Sequence, residues 1–224
     1  MKTAVIVFPG TNCEYDTKYA YEMLGSEVEF IWHKADRLPE HIDLVVLPGG
    51  FSYGDALRSG SIARFSPIIT QVIKYANAGG KVLGICNGFQ ILLEAGLLPG
   101  AMKRNESVHF ISQHHHLKVE NTDNTFLKLF KKGDILNIPI AHAEGNYYHD
   151  EQGLAQLHAN NQILLTYSDE NGILLNPNGS KEAIAGICNK EKNVFGLMPH
   201  PERAMETLLG SDDGINMLKG FVQA

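Results

Sequence analysis

The sequence has no basic run. Its 19 Lys and Arg stand against 25 Asp and Glu, for a formal charge of −6, which excludes a general coating role on nucleic acid, since such binding rests on neutralising phosphates. No apolar stretch reaches the roughly 20 residues of a membrane-spanning helix. The start, one Lys followed by a short apolar run with no small-residue cleavage site, reads as a first strand and not as a signal peptide. Cysteine is scarce: Cys13, Cys86 and Cys188 are odd in number, far apart and form no C-x-x-C pair. A disulfide framework is therefore not expected, and a reducing, cytoplasmic compartment is. Internal repeats, low-complexity tracts and linkers are also missing, so residues 1–224 are expected to form one domain.

What is present is an alternation of strand and helix. Residues 3–8 are apolar and β-branched and stop at Pro9-Gly10. Asn12 is placed to cap a helix over 14–24, with Tyr15, Tyr19 and Met23 on one face. Strands follow over 27–32 and 43–47, the second stopped by Pro48-Gly49-Gly50. A Gly- and Ser-rich loop leads to a helix within 62–77, which Pro67 either kinks or begins. A strand over 81–85 runs directly into a helix over 87–95. This order predicts an α/β fold, an open, mostly parallel sheet with helices on both faces. The second half reads as strands over 107–111, 117–119, 163–167, 183–189 and 194–198 between polar loops, with a last helix over 213–222. His114-His115-His116 is an odd run, but adjacent histidines alternate faces on a strand and make a poor single metal site, so no metal is expected.

Three segments carry chemistry. Gly84-Ile85-Cys86-Asn87-Gly88 lies at a strand-to-helix junction, the cysteine form of a nucleophile elbow. A nucleophile on so sharp a turn needs small neighbours. Its sulfur then projects at the carboxyl ends of the strands, and the helix dipole favours thiolate over thiol. The plain reading, a buried Cys in a glycine-rich turn, remains open from the pentapeptide alone. Pro199-His200-Pro201-Glu202 follows the terminal strand. Extended backbone enforced by the two prolines sends side chains two apart to one side, so Glu202 can orient His200 as a base. The backbone N–H groups of Asn87 and of Gly50, at the end of the 43–47 strand, are candidates for an oxyanion hole. A phosphate loop at Gly49-Gly50 is excluded because no Gly-Lys-Ser/Thr follows.

Together, Pro48-Gly49-Gly50, Gly84-Ile85-Cys86-Asn87-Gly88-Phe89-Gln90 and Pro199-His200-Pro201-Glu202 resemble the triad (class I) glutamine amidotransferases along nearly the whole chain. Phe8-Pro9-Gly10-Thr11-Asn12-Cys13, Phe51-Ser52-Tyr53-Gly54-Asp55, Arg104-Asn105-Glu106-Ser107, Pro139-Ile140-Ala141-His142-Ala143-Glu144-Gly145 and Met198 to Arg203 narrow the resemblance to the branch that serves the fourth step of purine biosynthesis. The resemblance implies a flavodoxin-like fold and a triad of Cys86, His200 and Glu202 that releases ammonia from L-glutamine through a thioester. It also implies substrate contacts from Gly49 and Gln90 and from backbone groups of the segment from Asn105 through Ser107 to Phe110, which would meet the α-carboxylate or α-amino end, with His142 and Glu144 near the pocket or a subunit interface. It implies as partners a large synthetase subunit and a small accessory subunit of the same complex. This chain then needs no cofactor, while ATP and Mg belong to the synthetase, where ammonia converts formylglycinamide ribonucleotide to its amidine. Two other enzyme readings are a glutaminase serving a different synthetase and a cysteine hydrolase of similar scaffold, many of which carry His directly after the nucleophile, where this chain has Asn87. A third is a binding subunit that has kept the fold without the activity.

Overall fold

The computed structural model describes residues 1–222. In chain order the elements are β1 (Lys2–Val7), α1 (Glu14–Met23), β2 (Glu27–Trp32), β3 (Leu44–Leu47), α2 (Pro67–Asn77), β4 (Lys81–Ile85), α3 (Asn87–Glu94), β5 (Ala101–Lys103), β6 (Ile111–Val119), β7 (Ile135–His142), β8 (Asn146–Tyr148), α4 (Glu151–Ala159), β9 (Ile163–Ser168), β10 (Ile184–Cys188), β11 (Val194–Leu197) and α5 (Gly214–Val222). Nine strands make one sheet in the order β2-β1-β3-β4-β11-β10-β9-β6-β7, and β5 pairs with β8 apart from it.

The first five strands of that order are parallel. Their apolar runs fit a sheet covered on both sides: Ala4–Ile6 and every residue of β3 are fully buried. Neighbouring residues of β11 locate the two covering layers. Phe195 packs against Phe221 of α5 at 5.3 Å between ring centroids. A Cβ on Gly196 would meet Phe89 of α3 at 2.2 Å. Successive strand residues face opposite ways, so α3 and α5 lie on opposite faces of the sheet.

The remaining four strands, β10, β9, β6 and β7, are each antiparallel to their neighbours. Four strand spacings of about 4.8 Å would set β7 about 19 Å from β11 in a flat sheet. Yet Pro139 of β7 accepts a hydrogen bond from the His200 backbone at 2.8 Å. The antiparallel half therefore curls back over the carboxyl ends of the parallel half and forms a wall there.

Several sequence expectations are corrected. Asn12 does not cap α1; Cys13 precedes the helix and offers no side-chain cap. Tyr15, Tyr19 and Met23 do share a face, but it is the solvent face, and Thr17, Ala20 and Tyr21 face inward. Pro67 begins α2, where its missing N–H leaves nothing unpaired. Residues 107–110 form a turn and not a strand, with Val108 at φ 62° and its N–H bonded to Asn105 O at 2.9 Å. Strand β7 escaped notice because Pro139 interrupts its pattern, which an edge strand tolerates. Helix α4 was also missed, although Asp150 caps it by accepting from Gly153 N at 2.7 Å.

Candidate active site

Cys86 follows β4 and precedes α3, with φ 50° and ψ −105°. A non-glycine residue there carries strain of about 1–3 kcal/mol, which persists only where the surroundings impose it. The surroundings are severe. A Cβ on Gly88 would lie 1.8 Å from Leu47 O, and one on Gly84 would lie 2.6 Å from Leu92 Cδ1 and 2.7 Å from the Gly88 backbone. Both positions must be glycine for α3 to lie this close to β3 and β4. The turn holds the Cys86 sulfur 3.6 Å from Ala141 O on the curled wall, and the residue is only 5 % exposed.

His200 arrives from the adjacent strand. β4 and β11 pair in parallel with Ile85 opposite Leu197, and Cys86 N donates to Leu197 O at 2.8 Å. Two residues separated by 114 positions (200 − 86) thus leave neighbouring strand ends. His200 Nδ1 bonds to Glu202 Oε1 at 2.7 Å, and the two side chains are 2 % and 0 % exposed. His200 Nε2 and Glu202 Oε2 are both buried without hydrogen-bond partners. Burial alone would push the imidazole down. The charges of Glu202 and then Cys86, with the sulfurs beside the ring, outweigh it and hold His200 well above the ordinary histidine value.

A cavity of about 260 Å³ opens over these groups, lined by Cys13, Gly50, Phe51, Cys86, Phe110, Ala141 and His200 among others. Gly50, at φ 143°, has no room for a side chain: a Cβ would lie 2.7 Å from Asn12 N. Asn87 is the first residue of α3, so its N–H is among those with no intrahelical acceptor. Its side chain ties the elbow to the 51–55 loop. Oδ1 accepts from Ser52 N at 3.0 Å, while Nδ2 donates to Gln90 Oε1 at 2.9 Å and, weakly, to Asp55 Oδ1 at 3.4 Å. Burial, followed by the charge of Glu144, raises Asp55 to about 6 despite a hydrogen bond from Ser59.

Gly49 makes room for the base, since a Cβ there would meet His200 Cε1 at 2.7 Å and Cys13 Sγ at 3.0 Å. Gln90 is buried and donates to Glu144 O at 2.6 Å. Asn105 is a clamp behind the wall. Its Nδ2 donates to His109 O and His142 O at 2.9 Å each, and its Oδ1 accepts from Gly145 N at 2.9 Å and His142 Nδ1 at 3.0 Å. His142 is accordingly fixed and buried, and burial with the charge of His200 lowers it to about 4. Glu144 accepts from Ser59 N at 3.2 Å and faces Arg104 at 3.8 Å. Ser107 is exposed in the turn before β6, and Phe110, half-exposed, faces Phe51 at 6.4 Å across the cavity mouth.

Sequence reasoning set Cys13 aside and gave Arg203 no role. Cys13 lines the cavity, and Arg203 donates to its sulfur at 3.1 Å and to Asp16 Oδ2 at 3.0 Å. Burial raises the Cys13 thiol, with His200 and Arg203 drawing it the other way. The signal was the Phe8 to Cys13 motif, whose glycine and proline bring the chain under the 49–51 loop: Cys13 N donates to Gly49 O and Phe51 N to Gly10 O. The ligand atoms of Cys13, His200 and Glu202 lie within 4.8 Å of one another, close enough to suggest a metal site. The His200–Glu202 bond and the Arg203 cation on the sulfur arrange them instead as a hydrogen-bonded network. Of the histidine run, His115 is buried and bonded to Leu175 O at 2.9 Å, and its neighbours point to the other face.

A glutamine amidotransferase domain model of the CobB/CobQ-like kind matches residues 1–213. Phosphoribosylformylglycinamidine synthase subunit PurQ of Sulfurimonas denitrificans is 67 % identical over 224 residues, covering 100 % of both chains. A chain of the solved PurLQS structure of Thermotoga maritima superposes with a TM-score of 0.89 at 42 % identity, covering 99 % of this chain and 97 % of that one. A glutamine amidotransferase of the same organism, 14 % identical with a TM-score of 0.64 over 100 % of this chain and 96 % of its own, shares the fold. No helix among the described residues is long and apolar enough to cross a membrane.

Proposed function

The chain belongs to the CobB/CobQ-like glutamine amidotransferase family and, within it, to the phosphoribosylformylglycinamidine synthase subunit PurQ family, and we infer from this that it is the glutaminase of a purine-biosynthetic synthase. The single observation that carries the chemistry is the buried 2.7 Å His200–Glu202 pair, whose imidazole lines one cavity with a cysteine held on a strained elbow.

In this reading the Cys86 thiolate attacks the side-chain amide carbon of L-glutamine. The N–H groups of Gly50 and Asn87 receive the oxyanion, an interaction worth about 3–4 kcal/mol per donor. His200 gives its proton to the departing nitrogen, and ammonia leaves a γ-glutamyl thioester. Water then attacks the thioester carbonyl, His200 takes the water's proton, and glutamate and the free sulfur are regenerated. Glu202 keeps the imidazole in one tautomer and stabilises its charged form. Phe110 and Phe51 border the mouth through which glutamine enters.

The relative from Thermotoga is solved within a PurLQS assembly, which supports a large synthetase and a small accessory subunit as partners. We place ATP and Mg on that synthetase, with no cofactor in this chain, and place the complex in the cytoplasm. Cys86→Ala is expected to abolish glutamine-dependent synthesis by the assembled complex while leaving ammonia-dependent synthesis intact. Glutamate release at the normal rate by that variant would sink the reading. A thiol-directed glutamine analogue should add its mass at Cys86, and no mass gain would favour a non-catalytic binding subunit.

A further inference from the structure

Several buried polar atoms in and around the triad have no partner, Nε2 of His200 and of His142 among them, and two of them, Oε2 of Glu202 and the hydroxyl of Tyr21, are a complementary acceptor and donor. Leaving either unpaired costs about 1–3 kcal/mol, more for a charged group, so each calls for an explanation. They come from elements that touch. Tyr21 is on the inward face of α1 with Thr17 and Ala20 and is fully buried. That helix packs on the turn Pro201–Arg203, and Arg203 ties the turn to Asp16 and Cys13. Burial holds the Tyr21 hydroxyl well above the ordinary tyrosine value, and the negative charge of Glu202 adds to the rise. Glu202 spends Oε1 on His200, which leaves Oε2 with unused acceptor capacity; Tyr21 has an unused donor.

We propose that Tyr21 is a positioning residue for glutamine hydrolysis: its hydroxyl donates to Oε2 of Glu202 and so fixes the carboxylate that orients His200. The two atoms are not bonded as they stand, so the bond forms by rotation of a side chain or through a bridging water. The consequence is twofold. Donation from Tyr21 holds the carboxylate plane, and hence the direction of Nε2 toward Cys86. It also withdraws charge from Glu202, so His200 parts with its proton to the leaving nitrogen more readily than it would opposite an unshared carboxylate. The ionisable groups around His200 are Glu202 and Arg203 from its own turn, Cys86 from the elbow, Cys13 and Tyr21 from the α1 segment and His142 from β7. Tyr21 is the one among them with no established bond of its own and no place in the bond-making steps.

This inference rests on the glutaminase reading for its kinetic test but has a readout that does not. Tyr21→Phe keeps the ring that fills the core and deletes only the hydroxyl. In the assembled complex it should lower kcat for glutamine hydrolysis about tenfold, with KM little changed. It should also shift the alkaline limb of the kcat/KM profile to higher pH, because Glu202 then holds the His200 proton more firmly. Ammonia-dependent synthesis should be unaffected. In the full chain alone, the low-field NMR resonance of the proton between His200 Nδ1 and Glu202 should move on Tyr21→Phe, whatever the substrate is. A wild-type rate with unmoved pH limbs and an unmoved resonance overturns the proposal. So does a rate loss that merely tracks a lower folded fraction with the limbs in place. Cys86→Ala, run in parallel, reports on the glutaminase reading alone.

Discussion

Gly88→Ala should damage both stability and catalysis. The added Cβ would lie 1.8 Å from Leu47 O and 2.6 Å from Leu47 C. An ordinary contact begins at 3.4 Å, so about 1.6 Å (3.4 − 1.8) must open between α3 and β3. Neither side yields easily, because Leu47 O is backbone at the carboxyl end of a fully buried strand and α3 is buried through Leu93. Overpacking of this kind costs about 1–3 kcal/mol, which for a chain of this size lowers the thermal midpoint by about 2–12 °C. The catalytic loss should be larger in proportion. Asn87 opens α3 directly behind Cys86, so a helix pushed off β3 carries the sulfur and the Asn87 N–H with it, and a misplacement of about 1 Å costs about 10²-fold in rate. Glutamate release by the complex and calorimetry of the isolated chain measure the two effects. Gly84→Ala provides the graded comparison, since its nearest atom is the movable Leu92 Cδ1 at 2.6 Å, with the Gly88 backbone at 2.7 Å. A Gly88→Ala protein with wild-type midpoint and rate, or one less affected than Gly84→Ala, would refute the reasoning from overlap.

Glu202→Gln should reduce kcat about 10²- to 10⁴-fold and move the alkaline limb of kcat/KM to lower pH, since the charge that most raises His200 is gone; an unmoved limb would mean that another group sets it. Asp55→Asn tests the elbow loop. The folded-state pKa of Asp55, about 6, exceeds the ordinary aspartate value of 3.8. Its stabilising contribution is therefore complete below about pH 4 and is lost as the pH rises through 6. Asn cannot ionise and should stabilise the protein at pH 8 by about 1 kcal/mol after discounting for partial exposure, with little effect at pH 4. Urea unfolding at the two pH values decides it, and a variant less stable at pH 8 than the native protein would contradict the assignment.

The parallel half of the fold was legible because its strands are buried on both faces and are punctuated by Pro-Gly and Gly-Gly at their carboxyl ends. The elbow and the His-Pro-Glu segment were legible for a related reason: glycine and proline restrict the backbone locally, and local restriction is written in a few consecutive residues. What sequence could not convey were long-range matters. The curl that brings Pro139 and Ala141 over Cys86 depends on four antiparallel pairings, and β7 hides behind its own proline. The outward turn of Tyr15, Tyr19 and Met23 arises because small Thr17 and Ala20 let α1 lie close to the sheet, against the usual inward preference of large apolar residues. Asn105 and Gly49 were expected at the substrate. The structure engages every side-chain polar atom of Asn105 with the protein, which leaves backbone groups of its segment for a substrate, and sets Gly49 beside the imidazole; motif spacing does not convey these packing roles.

The adjacency of β4 and β11 has an architectural consequence. Attacking atom and proton carrier hang from the tips of two neighbouring rods, so their separation is inherited from the spacing of hydrogen-bonded chains and owes nothing to the eighty-odd residues looped out between α3 and β10. That excursion can grow, shrink or be refashioned while the reacting pair stays in range. It supplies the overhanging roof, through Pro139 and Ala141. A single scaffold of this design can therefore keep one ammonia-releasing engine and change the shelter above it, and with it the company the subunit keeps.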